Sequence, residues 1–289
     1  MAGQIRFPST AYMTETGKSL SIAWMCLFAS FIVSTAAPST EAISAGLVHR
    51  EFMVDGLRRE ALLYVPSTAA SNVTPLVFVF HGHGGSSTNT ARSFAIHRHW
   101  PEAVSVYMQG LNTPGRLTDP EGRRTGWQKW QGDQKDRDLK LFDAVVKQLS
   151  NEYRIHPKRI YSTGHSNGGA FTYLLWQTRG DILAAVAPSA AAGPFLDRMN
   201  LRPKPVLHLA GEKDALVKYE WQQKTMEAIR RINGCDSRGK PWEGKLSAPG
   251  VCTIYPSQSG APVWTFIHPG AHGFPAAGPA LIAGFFKEN

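Results

Sequence analysis

Two kinds of hydrophobic pattern alternate along this chain. The first is a short, nearly unbroken apolar run: PLVFVF at 75–80, AVSVYMQ at 103–109, LAAVAPSA at 183–190, KPVLHLAG at 204–211 and VWTFIH at 263–268. Runs of that kind suit strands covered on both faces of a parallel sheet. The second is helical spacing. Across 136–152, Leu141, Phe142, Val145, Val146 and Leu149 recur with charges between them, which predicts an amphipathic helix. Further helices are expected over AFTYLLWQT at 170–178, over 219–232 and over 276–287. Near the start, LVHREFMVDGLRREALLYVP reads as two strands about Asp55-Gly56, a hairpin signal. Strands alternating with helices imply an α/β fold. Its central sheet is mostly parallel with an antiparallel N-terminal hairpin, and helices cover both faces. No repeat or linker divides 43–289, which is expected to be one domain.

The first 42 residues follow a different pattern. SLSIAWMCLFASFIV, 19–33, is free of charge, Lys18 precedes it, and small residues follow in STAAPSTEA. That order is the order of a secretory signal, with cleavage expected near Ala36, Ala37 or Ala42. The apolar run is short for a membrane span of about 20 residues, so no stable membrane insertion is expected after cleavage. Export gives the cysteines a meaning. Cys26 lies in the apolar run, which leaves Cys235 and Cys252 as an even pair. In an oxidising compartment such a pair predicts a disulfide. The formal net charge is +9, but the basic residues are scattered, and no basic helix or nucleic-acid motif accompanies them.

The chemistry concentrates at YSTGHSNGGAF, 161–171. Gly164-His165-Ser166-Asn167-Gly168 matches G-x-S-x-G, with an expected strand (RIYSTG) before it and an expected helix after it. A serine at such a sharp turn presents its hydroxyl above the sheet at a helix N-terminus, and small neighbours avoid collision. An unassisted hydroxyl is a poor nucleophile and needs a base. In chain order the acid comes next and histidine last. His208 lies in the middle of an apolar strand and His268 ends one. His272, in the loop HPGAHGFP beyond the last strand, is the expected base. Asp214, just past KPVLHLAG, is the expected acid. The oxyanion donors are expected to be the amide of Asn167 and, from the glycine-rich loop in VFHGHGGSS, the amide of His83, with Gly82 and Gly84 as alternatives. His81 and His83 have no Cys, Asp or Glu at ligand spacing, so no metal site is expected. No cofactor motif is present.

FHGHGG, WQ…GDQKDRDLKLFDAVVKQL, YSTGHSNGGAFTYLL, HLAGEKDALVKY and GAHGFP follow one another in this order. Together they resemble the secreted esterases that include feruloyl esterases and polyhydroxybutyrate depolymerases, within the α/β-hydrolases. The resemblance covers about 47–287. It implies a cofactor-free Ser-Asp-His carboxylic ester hydrolase working through an acyl-enzyme, with the family's three residues on Ser166, Asp214 and His272. One departure touches the pocket: family members often carry Trp-Pro after the base, where this chain has Phe274-Pro275. Trp127 and Trp130 are expected to offer an aromatic wall to a phenolic acyl group or a sugar. A single domain without an added binding module points toward soluble or polysaccharide-linked esters rather than solid polyester. Two other readings stay open on residues alone: a secreted serine peptidase of the same fold, and a non-catalytic binding protein on a hydrolase scaffold.

Overall fold

A computed structural model describes residues 46–193, 196 and 201–289. The expected leader, 1–42, lies outside the described residues. The hairpin forms as the pattern predicts: β1 (Leu47–Val54) and β2 (Leu57–Tyr64) pair antiparallel with Val54 opposite Leu57. Its two-residue loop places Asp55 at φ 49° and Gly56 at φ 76°, the positive-φ pair that matches the right-handed twist of the strands. β3 (Thr74–Phe80) follows and is buried throughout. Next come α1 (Ser87–Phe94), α2 (Ile96–His99), β4 (Val104–Met108) and a small separate ribbon of β5 (Leu111–Asn112) with β6 (Thr125–Gly126). α3 (Arg137–Glu152), β7 (Ile155–His165), α4 (Asn167–Arg179), β8 (Ala185–Ser189) and β9 (Val206–Gly211) lead to α5 (Tyr219–Ile232). The chain ends with β10 (Lys240–Pro241), β11 (Val251–Tyr255), β12 (Val263–His268) and α6 (Gly278–Glu288).

The large sheet has ten strands in the order β1-β2-β4-β3-β7-β8-β9-β12-β11-β10. The run from β4 to β12 is parallel, and both edges are antiparallel. The hairpin edge was expected; the second edge, β10 with β11, was not. β11 is VCTIY, and of its five residues only Cys252 is buried, so its apolar pattern is too weak to announce a strand.

Alternation along each strand feeds two cores, one per face. Leu76, Phe78 and Phe80 of β3 join Phe142 of α3, Leu175 of α4 and Ile229 of α5. Val77 and Val79 join Phe94 of α1, Ile96 of α2 and Phe285 of α6 on the other face. The expected disulfide is not formed. Cys252 belongs to the second face, while Cys235 packs against the first, so the thickness of the sheet separates them. Both are free cysteines. Burial pushes the Cys252 thiol up to about 12 and raises that of Cys235 as well.

A buried ion pair fixes α3 to the hairpin. Arg59 Nη2 donates to Asp138 Oδ1 at 2.7 Å, and both side chains are fully buried. Just ahead of α3, Gln134, Lys135 and Asp136 all take left-handed φ values of 51–58°. Each such residue costs roughly 1–2 kcal/mol. The turn is held by its own carboxylates: Asp136 Oδ1 accepts from the Gly132 amide at 2.7 Å and from Gln128 Nε2 at 2.8 Å.

The parallel strands all present their C-terminal ends on one side. Between β3 and β7 the chain reverses its direction of travel across the sheet, a topological switch point where such folds leave a crevice. The loops after β3, β7, β9 and β12 meet there. All described residues belong to one compact unit. Among them no helix is long and apolar enough to cross a membrane.

Candidate active site

Ser166 stands between β7 and α4 with φ 55° and ψ −117°, a conformation side-chain-bearing residues rarely hold. Its glycine neighbours are required by contact rather than by flexibility. A Cβ on Gly164 would lie 2.5 Å from the Gly168 carbonyl, and one on Gly168 would lie 2.3 Å from the Phe80 carbonyl oxygen. The turn can therefore close only against bare backbone. A bond from the Ser166 amide to the Ser189 carbonyl, 2.8 Å, ties it to the end of β8. α4 then runs through the core with buried residues on nearly every side, including Phe171, Leu174 and Trp176, which makes it a rigid base for the serine.

Asp214 and His272 reach the serine from loops bonded to each other. The Glu212 amide donates to the His268 carbonyl at 2.9 Å and the Lys213 amide to the Gly270 carbonyl at 3.0 Å. Gly211 makes this approach possible, since a Cβ there would sit 2.4 Å from the Ala271 carbonyl oxygen. The result is a continuous line of contacts. Ser166 Oγ is 2.8 Å from His272 Nε2, and His272 Nδ1 is 2.8 Å from Asp214 Oδ2. With Nδ1–H donating to the carboxylate, Nε2 is left bare to accept the serine proton. Asp214 is buried, and no lysine or arginine pairs with it among the described residues. Its Oδ1 accepts from the amides of Leu216 and Val217 at 3.0 and 2.9 Å, while Oδ2 also accepts from Gln222 Nε2 at 3.0 Å.

His165, the residue before the serine, also holds the loop that carries His272. Its Nε2 donates to the His272 carbonyl at 2.9 Å, and Nδ1 accepts from Ser189 Oγ at 3.2 Å. Burial is the main reason its pKa falls to about 4, and the nearby His272 adds to it. His165 is therefore a neutral strut at neutral pH. His268, the alternative base, ends β12 buried and away from the serine, with Nδ1 accepting from the Gly270 amide at 3.2 Å.

The glycine-rich loop after β3 lies over the serine: a Cβ on Gly82 would stand 3.6 Å from Ser166 Cβ. The Gly82 carbonyl accepts two bonds, from His81 Nδ1 at 2.7 Å and from the Gly85 amide at 2.9 Å. His81 Nε2 accepts from the Gly110 amide at 2.9 Å, so its Nδ1 carries the hydrogen. Burial lowers the pKa of His81 to about 4 and keeps it neutral. A trans peptide holds its C=O and the next N–H in opposite directions. Pinning the Gly82 carbonyl therefore aims the His83 amide the other way. The Gly84 amide is consumed by the Thr125 carbonyl at 2.7 Å, which removes it as an oxyanion donor. The His83 ring is wedged against Gly115 and Gly126, where any Cβ would come within 2.7 Å of it. Its Nε2 meets Asp119 Oδ2 at 3.0 Å. Burial would raise the Asp119 carboxyl, but hydrogen bonds from His83 and from the amides of Arg123 and Arg124 bring it down to about 2. The Asn167 side chain binds the Trp127 backbone, Oδ1 accepting from its amide at 2.7 Å.

The two tryptophans do not form the expected wall. Trp127 is fully buried: its Nε1 donates to the His81 carbonyl at 2.9 Å and its ring stacks on Phe171 at 5.6 Å. It is a core residue beneath the glycine-rich loop. Trp130 is 61% exposed with Lys129 over its ring, and it lies outside the lining of the cleft beside the serine. That cleft, of about 320 Å³, is lined instead by His83, Ser86, Asn89, Ser93, Phe94 and Phe274, together with other loop residues. Phe274 stacks on Phe94 at 3.9 Å and meets His165 edge-on. Ser86, Asn89 and Phe94 went unnoticed in the sequence because α1, at eight residues, is too short to announce itself. A larger hollow of about 490 Å³ adjoins Ile155 at the start of β7, at the opposite end of the strand from Ser166. Among the described residues, no group of three or more His, Cys, Asp or Glu is arranged to hold a metal ion.

No protein-family model matches the chain. Among curated proteins, a probable feruloyl esterase C from Aspergillus flavus is 27% identical over 235 residues, 77% of this chain and 82% of that protein. A bifunctional acetylxylan esterase/xylanase from Neocallimastix patriciarum is 28% identical over 189 residues, 63% of this chain. The chain spans only 25% of that protein's length. An acetyl xylan esterase from Aspergillus awamori superimposes with a TM-score of 0.58 at 12% identity, covering 82% of this chain and 99% of the other. A Bacillus cereus carboxylesterase does so with a TM-score of 0.53 at 14% identity, covering 85% and 95%. At such low identity these structures establish the shared fold, that of the α/β-hydrolases.

Proposed function

We infer that this chain, one of the α/β-hydrolase esterases related to the feruloyl esterases, is an exported serine hydrolase of carboxylic esters. The observation that carries the reading is the unbroken line from Ser166 Oγ through His272 to Asp214, at 2.8 Å for each contact, with the serine on a strained elbow. His272 Nε2 takes the hydroxyl proton as Ser166 Oγ bonds to the ester carbonyl carbon. The amides of His83 and Asn167 receive the negative oxygen of the tetrahedral intermediate. His272 then gives its proton to the departing alkoxide, and the C–O bond breaks to leave an acyl-serine and a free alcohol. Water, deprotonated by the same imidazole, repeats the sequence and releases the carboxylic acid. Asp214 orients the ring and offsets its positive charge while it holds the proton.

The substrates we assign are hydroxycinnamoyl or acetyl esters on plant polysaccharide. Supporting this are the relatives' names and the cleft, whose volume of about 320 Å³ lies at the small end of ligand sites. Stacked Phe94 and Phe274 suit an aromatic or short acyl group, and Ser86, Asn89 and Ser93 offer hydroxyl and amide partners. Export rests on the leader pattern of residues 1–42.

A fluorophosphonate probe should label the mature protein once, at Ser166, and Ser166→Ala should abolish both labelling and turnover while retaining the fold. Methyl ferulate, acetylated xylan and p-nitrophenyl butyrate should be cleaved far faster than p-nitrophenyl palmitate, polyhydroxybutyrate or a peptide amide. Labelling at another serine would overturn the mechanism, and preference for palmitate, polyester or peptide would overturn the substrate assignment.

A further inference from the structure

Behind Asp214 lies a chain of buried polar groups that the hydrolytic steps above do not use. Gln222 on α5 is fully buried, and its Nε2 donates to Asp214 Oδ2 at 3.0 Å and to the Val217 carbonyl at 2.7 Å. Its Oε1 faces His208 Nε2 at 3.2 Å, and His208 Nδ1 faces Tyr173 Oη at 2.6 Å. His208 and Tyr173 are buried as completely as Gln222. We propose that Gln222 is a positioning residue that holds the Asp214 carboxylate in the plane His272 requires, with His208 and Tyr173 locking the orientation of its amide. The proposal rests on the Ser166–His272–Asp214 reading.

Hydrogen bookkeeping fixes every direction in this chain. Both acceptors beside Gln222 Nε2, a carboxylate and a carbonyl, lack hydrogens. A flipped amide would set oxygen against oxygen at both, so Nε2 must face them. Oε1 then needs a donor, which among the described residues His208 Nε2 supplies, so His208 carries its hydrogen there. Its Nδ1 is left bare and takes the Tyr173 hydroxyl hydrogen. Burial lowers the pKa of His208 to about 4, which keeps the ring in the neutral form this arrangement needs. Tyr173 lies seven residues along α4 from Ser166, about two helical turns. The relay therefore links the nucleophile's own helix to the acid.

The consequence falls on Asp214. A carboxylate with partners on one oxygen only can swing about its last torsion. Here Oδ1 is held by two amides of its own loop, and Oδ2 by Gln222 and His272. Without Gln222, the partner left on Oδ2 is the His272 ring itself, which cannot anchor the carboxylate meant to orient it, in a site that buries the carboxylate completely. The His272 ring would lose the fixed angle that points Nε2 at Ser166. Packing alone does not call for these polar groups, since Leu, Phe and Met of similar volume fill buried sites without needing partners.

The test compares Gln222→Met, Tyr173→Phe and the double variant by steady-state kinetics on a short-chain ester, with Ser166→Ala as the control. Gln222→Met, close in shape but without donors, should lower kcat by about 10- to 100-fold, the scale of one lost buried bond to a charged group. KM should stay within about twofold, because no substrate contact is removed. Tyr173→Phe should lower kcat by a smaller factor with the same unchanged KM. The double variant should be no worse than Gln222→Met alone, because both act on the same carboxylate. Multiplicative effects of the two changes would overturn the relay, as would a folded Gln222→Met or Tyr173→Phe enzyme with wild-type kcat and lower thermal stability only. An active Ser166→Ala protein would instead refute the underlying site assignment, which separates the two failures.

Discussion

Three histidines around the site, His81 and His208 buried and His165 half-buried, are held neutral, and this should make folding stability fall steeply in mild acid. His81, His165 and His208 are each lowered from 6.5 to about 4, with burial the largest cause in every case. A histidine whose folded pKa lies below its unfolded one contributes fully above the unfolded value. That contribution is lost as pH falls toward the folded value, because the unfolded chain takes up the proton first. The window is therefore pH 6.5 down to 4, with stability level above about 7. At pH 5 a shift of this size is worth about 2 kcal/mol per histidine, or about 6 kcal/mol for the three. That is a large part of the 5–15 kcal/mol typical of a whole domain. His97 and His268 are lowered in the same direction, again chiefly by burial, so they add to the trend. Asp119, near about 2, comes into play only below this window. Each kcal/mol shifts the melting temperature of a chain this large by about 2–4 °C. Scanning calorimetry or urea unfolding at pH 7.5 and pH 5.0 should thus differ by roughly 12 °C or more. A melting temperature that moves by less than about 3 °C would refute the neutral state of these rings.

Other consequences follow from packing. Asp138→Asn leaves the Arg59 guanidinium buried without its counter-charge, and should cost about 3–5 kcal/mol in denaturant unfolding; a loss under 1 kcal/mol would contradict that burial. Gly168→Ala drives a Cβ to 2.3 Å from the Phe80 carbonyl oxygen, so soluble, active protein should be lost. Gly284→Ala in α6 meets nothing within 4 Å and should be neutral or stabilising by up to about 1 kcal/mol. Equal behaviour of the two glycine variants would refute the steric account. The mature protein, denatured without reductant, should titrate two thiols from Cys235 and Cys252 and keep its mass on reduction. A mass gain of two hydrogens would restore the disulfide.

Local pattern carried much of this molecule. Unbroken apolar runs, the Asp55-Gly56 turn signal and period-3.6 spacing placed the buried strands, the hairpin and the helices at 137–152 and 219–232 within a few residues, because each pattern depends only on neighbours in sequence. The turn at Ser166 was legible in the same way, since its motif is a statement about a single tight turn, and Asp214 and His272, picked by chain order after particular strands, lie in hydrogen-bond reach of one another and, through His272, of Ser166. Contacts across the sheet have no such local trace. Cys235 and Cys252 looked paired by count and compartment, but which core a side chain packs against is a tertiary matter, and Cys252 in β11 packs with one face while Cys235, just after α5, packs against the other. Trp127 looked like a substrate wall because an aromatic ring can face a phenolic acyl group or a sugar. Only the fold shows that its ring lies beneath the glycine-rich loop and its Nε1 finds the His81 carbonyl. The left-handed turn at 134–136 runs against every local preference and is held by carboxylates that curl back on it. The Gln222–His208–Tyr173 relay draws on α5, β9 and α4. Its members are ordinary residues in ordinary elements, and they become a network only when packing brings them within hydrogen-bond reach and burial leaves them no other partners.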